Sequence, residues 1–173
     1  MRSEIEVGSL MNRRQLVSAA VWGAILLVIS ALVACWVASG SFKACVGEVD
    51  DQFQKTIGAL DGVAELSVTL STTLIGVGVA LLIGLKTGLR LTFLTKIIII
   101  TAAFFLAQSA FYAVLWRWRV ANLWLNKCLE LIAEPLLTRP YQAHVYFFMA
   151  GLVALFILVV VAAFSPRESG ESA

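Results

Sequence analysis

The side chains able to exchange protons, attack carbon or bind a metal are few. There is one histidine, His144, close to Pro140-Tyr141, and there are three cysteines, Cys35, Cys45 and Cys128. A bis-histidine haem site needs a second imidazole, and no second imidazole or acid cluster completes a metal site around the one present. A four-helix membrane thiol oxidoreductase would need a Cys-x-x-Cys pair, which no two of these cysteines form. The glycines of Gly76-Val77-Gly78 lie inside an apolar run and lack the lysine of a phosphate-cradling loop. The expectation is a protein that is not an enzyme and holds no cofactor and no metal.

The elements around these residues are apolar to an extent that decides the class. Of 173 residues 60% are hydrophobic and 14% charged, and the mean hydropathy is +0.90. A soluble domain carries about 25% charged residues, so a chain this short has too little polar surface to cover its apolar content. Four apolar runs reach spanning length, at about 16–38, 66–85, 97–116 and 145–164, separated by charges and turn formers. Backbone in lipid must satisfy its own hydrogen bonds, so such runs are read as helices. The predicted fold is an all-α integral membrane protein, a single four-transmembrane-helix bundle over 1–173 with short amphipathic extramembrane helices in outer loops 39–65 and 117–144.

Lysine and arginine in the flanks orient the spans. With both termini inside, the inner segments hold Arg2, Arg13, Arg14, Lys86, Arg90, Lys96 and Arg167, and the outer loops hold Lys43, Lys55, Arg117, Arg119, Lys127 and Arg139. The count is nearly even; the density favours N-in and C-in, because the tight 86–96 turn has three cations and no acid. The implied location is a multi-pass protein of the bacterial inner membrane. Arg13-Arg14 before the first span looks like a twin-arginine signal, and Leu32-Val33-Ala34-Cys35 fits a lipoprotein cleavage box. Positive-inside flanking and the excessive length of the run favour an uncleaved first span over processing before Cys35.

The most specific pattern lies on the second span. Thr72, Gly76, Ala80, Gly84 and Gly88 recur at four-residue spacing, which stacks small side chains on one helix face and permits close approach of another helix. That helix belongs either to the same bundle or to a neighbouring subunit. Gln108 and Ser109 sit mid-span in the third run and are expected to hydrogen-bond between helices, with a polar pore lining as the alternative. No ionisable residue falls in a span centre, which disfavours ion coupling.

The loops carry patterns of their own. Val46, Val49, Phe53, Ile57, Leu60 and Ala64 recur at helical spacing, so an amphipathic helix runs into the second span as a stalk, unless Asp61-Gly62 breaks it. In the second outer loop Trp116, Arg117, Trp118, Arg119 and Trp124 suit the headgroup layer as an interfacial anchor, with recognition of an anionic external ligand as the alternative. A short interfacial helix is expected over 122–137, ended or kinked by Pro135. In an oxidising compartment Cys45 and Cys128, both outside, would tie the two outer loops together.

The functional expectation is a non-enzymatic membrane subunit that forms a homo-oligomer and acts as scaffold, anchor or sensor for a soluble partner. Arg13, Arg14, Lys86, Arg90 and Lys96 form its inner basic surface, facing membrane lipid or a cytosolic protein. Direct nucleic-acid binding is not expected. The alternative is an oligomeric channel or pore-forming effector, as in bacterial antiphage (antiviral) defence.

Overall fold

A computed structural model describes residues 2–39, 51–82, 92–125 and 135–164, and it is helical in four segments: α1 (Arg2–Ala38), α2 (Asp51–Leu82), α3 (Phe93–Leu125) and α4 (Pro135–Phe164). Among the described residues there is no strand. All four helices contain a stretch long and apolar enough to cross a membrane, at Arg13–Ala38, Gln54–Ala80, Phe93–Leu123 and Pro135–Val161. Side chains are described within 13–39, 54–80, 92–123 and 135–161.

The helices alternate in direction. Arg117 near the end of α3 meets Asp61 near the start of α2, Arg119 meets Leu136 at the start of α4, and Arg139 meets Trp36 at the end of α1. These contacts gather the end of α1, the start of α2, the end of α3 and the start of α4 at one end of the bundle, called here the arginine end. Helix α3 is central, packing most extensively against α4 and then against α2, while α1 touches α4 and α3 only thinly.

Two buried clusters hold this arrangement. Ile57, Ala64, Ala113, Trp116, Leu123 and Leu137 join α2, α3 and α4 toward the arginine end. Val37, Tyr112, Ala143 and Phe147 join α1, α3 and α4, with the Tyr112 and Phe147 rings stacked at 5.6 Å. Among the described glycines the tightest contact is at Gly151, where an added Cβ would lie 2.8 Å from Cγ and Cδ2 of Leu106 on α3. Gly78 serves the α2–α3 contact less tightly, 3.4 Å from Ile99.

Several boundaries differ from the expectation. Helix α2 is unbroken through Asp61 and Gly62, so the amphipathic segment and the span are one rod, as the 3–4 periodicity predicts; its expected beginning at Val46 lies outside the described residues. Thr92 caps α3, its hydroxyl accepting from the Thr95 amide at 3.3 Å, which satisfies one orphan N–H of the first turn. The separate interfacial helix over 122–137 is not what forms in the described part: α3 continues to Leu125, and Pro135 opens α4 instead of ending a helix. Proline suits a first helical position because its missing N–H has no intrahelical acceptor there anyway.

Candidate functional site

Moving the start of α4 back to Pro135 places His144 within a helix and inside the bundle. Its ring is 1% exposed. Nε2 lies 2.7 Å from Ser67 Oγ on α2, and Nδ1 lies 2.9 Å from both Oγ and the carbonyl oxygen of Ser109 on α3. A carbonyl only accepts, so Nδ1 carries the proton, and in the neutral ring Nε2 accepts from the Ser67 hydroxyl. The Ser67 oxygen is also within 2.9 Å of the Val63 carbonyl and 3.0 Å of the Ala64 carbonyl on its own helix. One imidazole therefore ties three helices together, and each polar atom in the cluster has a partner.

A serine hydroxyl at 2.7 Å from an imidazole has the distance of a nucleophile and its base. Two features argue against that chemistry. Ser109 occupies the position of the carboxylate that would orient such a ring, and the centre is closed, with Ser67 6% and Ser109 0% exposed. What the geometry does is join helices. One turn from Ser67, Ser71 is also buried, its Oγ without a partner among the described residues. Among the described residues no group of three His, Cys, Asp or Glu side chains is placed to hold a metal ion.

The arginine end is a second polar region. Arg117 Nε donates to Asp61 Oδ1 at 2.6 Å and Nη2 reaches Glu65 Oε2 at 3.4 Å, with side chains 40%, 45% and 71% exposed. These three border an open cleft of about 960 Å³ between α2 and α3. Arg119 Nη1 donates to the Leu136 carbonyl at 2.7 Å, and Arg139 Nη1 donates to the Trp36 carbonyl at 2.9 Å and to Ser39 Oγ at 2.6 Å. Nearer the opposite end, Trp22 Nε1 donates to Thr101 Oγ1 at 2.8 Å and ties α1 to α3.

The residues singled out by spacing fall differently from one another. Ser109 makes the inter-helix bond expected of it, whereas the half-buried Gln108 makes none among the described residues. Thr72 and Gly76 are exposed, Ala80 is half-buried, and a Cβ on Gly76 would meet nothing within 4 Å. Packing among the described residues thus does not use the Thr72–Gly76 face; Gly84 and Gly88 lie outside them. Trp116 is 2% exposed and packs on Tyr141, so it is a core residue and not an interfacial anchor. Trp118 is 63% exposed, while Arg117 and Arg119 are held by α2 and α4. Arg13, Arg14 and Lys96 are exposed at the opposite end; Lys86 and Arg90, the Trp124 side chain, and the Cys45 and Cys128 pair lie outside the described residues. Cys35 is an exposed free thiol.

Two contributions were missed by reading spacing alone. Gly151 stands in no repeating small-residue register, and the spacing around Ser67 does not name its partner. The available signal was His144 itself, a lone imidazole beside an uncharged run, since a buried histidine needs partners on facing helices. No known protein family, no curated protein and no solved structure matches this chain.

Proposed function

We propose that this protein is a non-enzymatic subunit of the bacterial inner membrane, N-in and C-in, that assembles with copies of itself and serves as scaffold, anchor or sensor for a soluble partner. The observation that carries this reading is the outward face of α2. There Thr69, Thr72 and Thr73 turn their hydroxyls back onto carbonyls of their own helix, at 2.8–3.1 Å, and Gly76 has open space where a side chain would stand. The result is a face of small side chains with satisfied polar groups, which in a bilayer favours a second helix at close range. Apolar exposure alone would not argue this, because lipid covers apolar faces equally well. The half-buried amide of Gln108, without a partner among the described residues, supports the same reading, since an amide in hydrocarbon gains from a partner on a neighbouring helix. The exposed Arg13, Arg14 and Lys96 supply the basic surface for anionic lipid or a cytosolic partner.

Native mass measurement of the purified protein tests the assembly: Gly76→Leu is expected to convert the oligomer to smaller species without unfolding the protomer. An unchanged mass would count against α2 as the interface. A second reading, an oligomeric channel or pore-forming defence effector, draws on the same Gln108 amide and threonine hydroxyls facing a shared lumen. Current across planar bilayers distinguishes it, and a silent membrane at all voltages favours the scaffold.

A further inference from the structure

The α1–α4 interface is thin beside those of α3 with α4 and α2, and it contains a groove. The groove measures about 380 Å³ and is walled by Ile29, Val33 and Trp36 of α1 and by Ala143 and Ala150 of α4, with Phe105 of α3 among its lining residues. Ala143 and Ala150 are two helical turns apart on one face of α4, and their side chains, which stop at Cβ, leave space beside the Tyr146 and Phe147 rings that also line the groove. From Ile29 to Trp36 the wall runs about 10 Å along the helix axis, the direction in which an acyl chain lies in a bilayer.

The head of the groove is cationic. Arg139 places Nη1 on the Trp36 carbonyl and on Ser39 Oγ, and its Cζ stands 5.6 Å from the centre of the Trp36 ring. Trp36 is thus both a wall of the groove and the support of the guanidinium. Among the described residues the carboxylates within ion-pair distance of an arginine are Asp61 and Glu65, and both belong to Arg117. A guanidinium has five N–H donors in a planar fork suited to phosphate oxygens, and the bonds described for Arg139 come from Nη1 alone. The apolar run of α1 ends at Ala38, so the Arg139–Ser39 contact sits where the hydrocarbon meets the headgroups.

We propose that this groove binds one phospholipid per protomer, the acyl chain lying between α1 and α4 and the phosphodiester held by Arg139. A free phosphate would have no use for the apolar wall, and a neutral apolar molecule none for the cation. Their continuity through Trp36 fits an amphiphile with a phosphate at the end of its chain, and the bilayer supplies that molecule to a groove open on its lateral side.

The test is native mass spectrometry of the full chain, released from detergent after incubation with phosphatidylglycerol, with diacylglycerol of the same chains, or with oleate. One phosphatidylglycerol is expected to stay bound per protomer, with diacylglycerol and oleate retained at least tenfold less. Arg139→Gln should reduce retention of phosphatidylglycerol tenfold or more. Because that change also cuts the tie to α1, Ala150→Leu is the independent variant: it fills the groove about three turns away and should expel the lipid while circular dichroism shows the helices intact. Equal retention of diacylglycerol or oleate, or phosphatidylglycerol binding like that of the unaltered protein in both variants, would overturn the proposal.

Discussion

Arg119 on α3 donates a 2.7 Å hydrogen bond to the backbone carbonyl of Leu136 on α4, the one carbonyl that Pro140 leaves without its helical partner. Proline has no N–H, so the i to i−4 bond from residue 140 to residue 136 cannot form, and Pro140 is itself fully buried. The arginine repairs from a neighbouring helix what the proline removes. The same bond holds the beginning of α4 against α3, and so supports the helix that carries His144.

Arg119→Leu is expected to lower stability by about 1 kcal/mol, the cost of leaving a half-buried carbonyl unpaired. In a Pro140→Ala background the helix can make its own bond to Leu136, and the penalty should shrink. Thermal unfolding of the four proteins of this cycle in detergent reads the coupling; an equal penalty in both backgrounds would refute the pairing.

His144→Ala removes the bridge to Ser67 and Ser109 and leaves a void among three helices. Hydrogen bonds between membrane helices contribute about 0.6 kcal/mol on average and up to about 1.7, and the cavity adds to the loss. A destabilisation of about 2–4 kcal/mol follows, against about 1 kcal/mol for Ser67→Ala. Unfolding by denaturing detergent measures both, and a His144→Ala protein as stable as the original would show that the centre does not hold the bundle.

Gly151→Ala places a Cβ 2.8 Å from Leu106 Cγ and Cδ2 and should cost about 1–3 kcal/mol through overpacking. Pairing it with Leu106→Ala should relieve part of that cost. Gly76→Ala meets nothing within 4 Å among the described residues and should leave protomer stability unchanged, so the two glycines separate packing within the chain from packing between chains in one melting experiment.

Asp61→Asn removes the 2.6 Å ion pair with Arg117. With both side chains two-fifths exposed or more, the effect should stay below about 1 kcal/mol and diminish with added salt. A larger, salt-independent loss would mean that the cleft between α2 and α3 is closed to water in the assembled protein.

The four apolar spans and the amphipathic lead into α2 were legible in the residues alone. Lipid admits few backbone solutions, and uncharged runs such as that following His144 leave little choice but helix. Periodicity at Ile57, Leu60 and Ala64 likewise identifies the face of α2 that meets the bundle, since Ile57 and Ala64 are buried and Leu60 packs against them. The beginning of α4 was not legible, because Pro135–His144 is too polar to count as span and too short to announce itself as a helix.

Partnership between helices is where the amino-acid sequence stops being sufficient. Hydropathy is a sum over one helix at a time, and it determined that four segments suit a membrane. Whether Gly76 or Gly151 touches a neighbour, and whether His144 or Gln108 finds a hydrogen bond, depends on how each helix is rotated and at what height it meets the next. In a bilayer the apolar effect barely distinguishes one rotation from another. That decision fell to a few specific contacts, the 2.7 Å reach of Ser67 to His144 and the close approach of Leu106 to Gly151, which exist only once three helices are packed together.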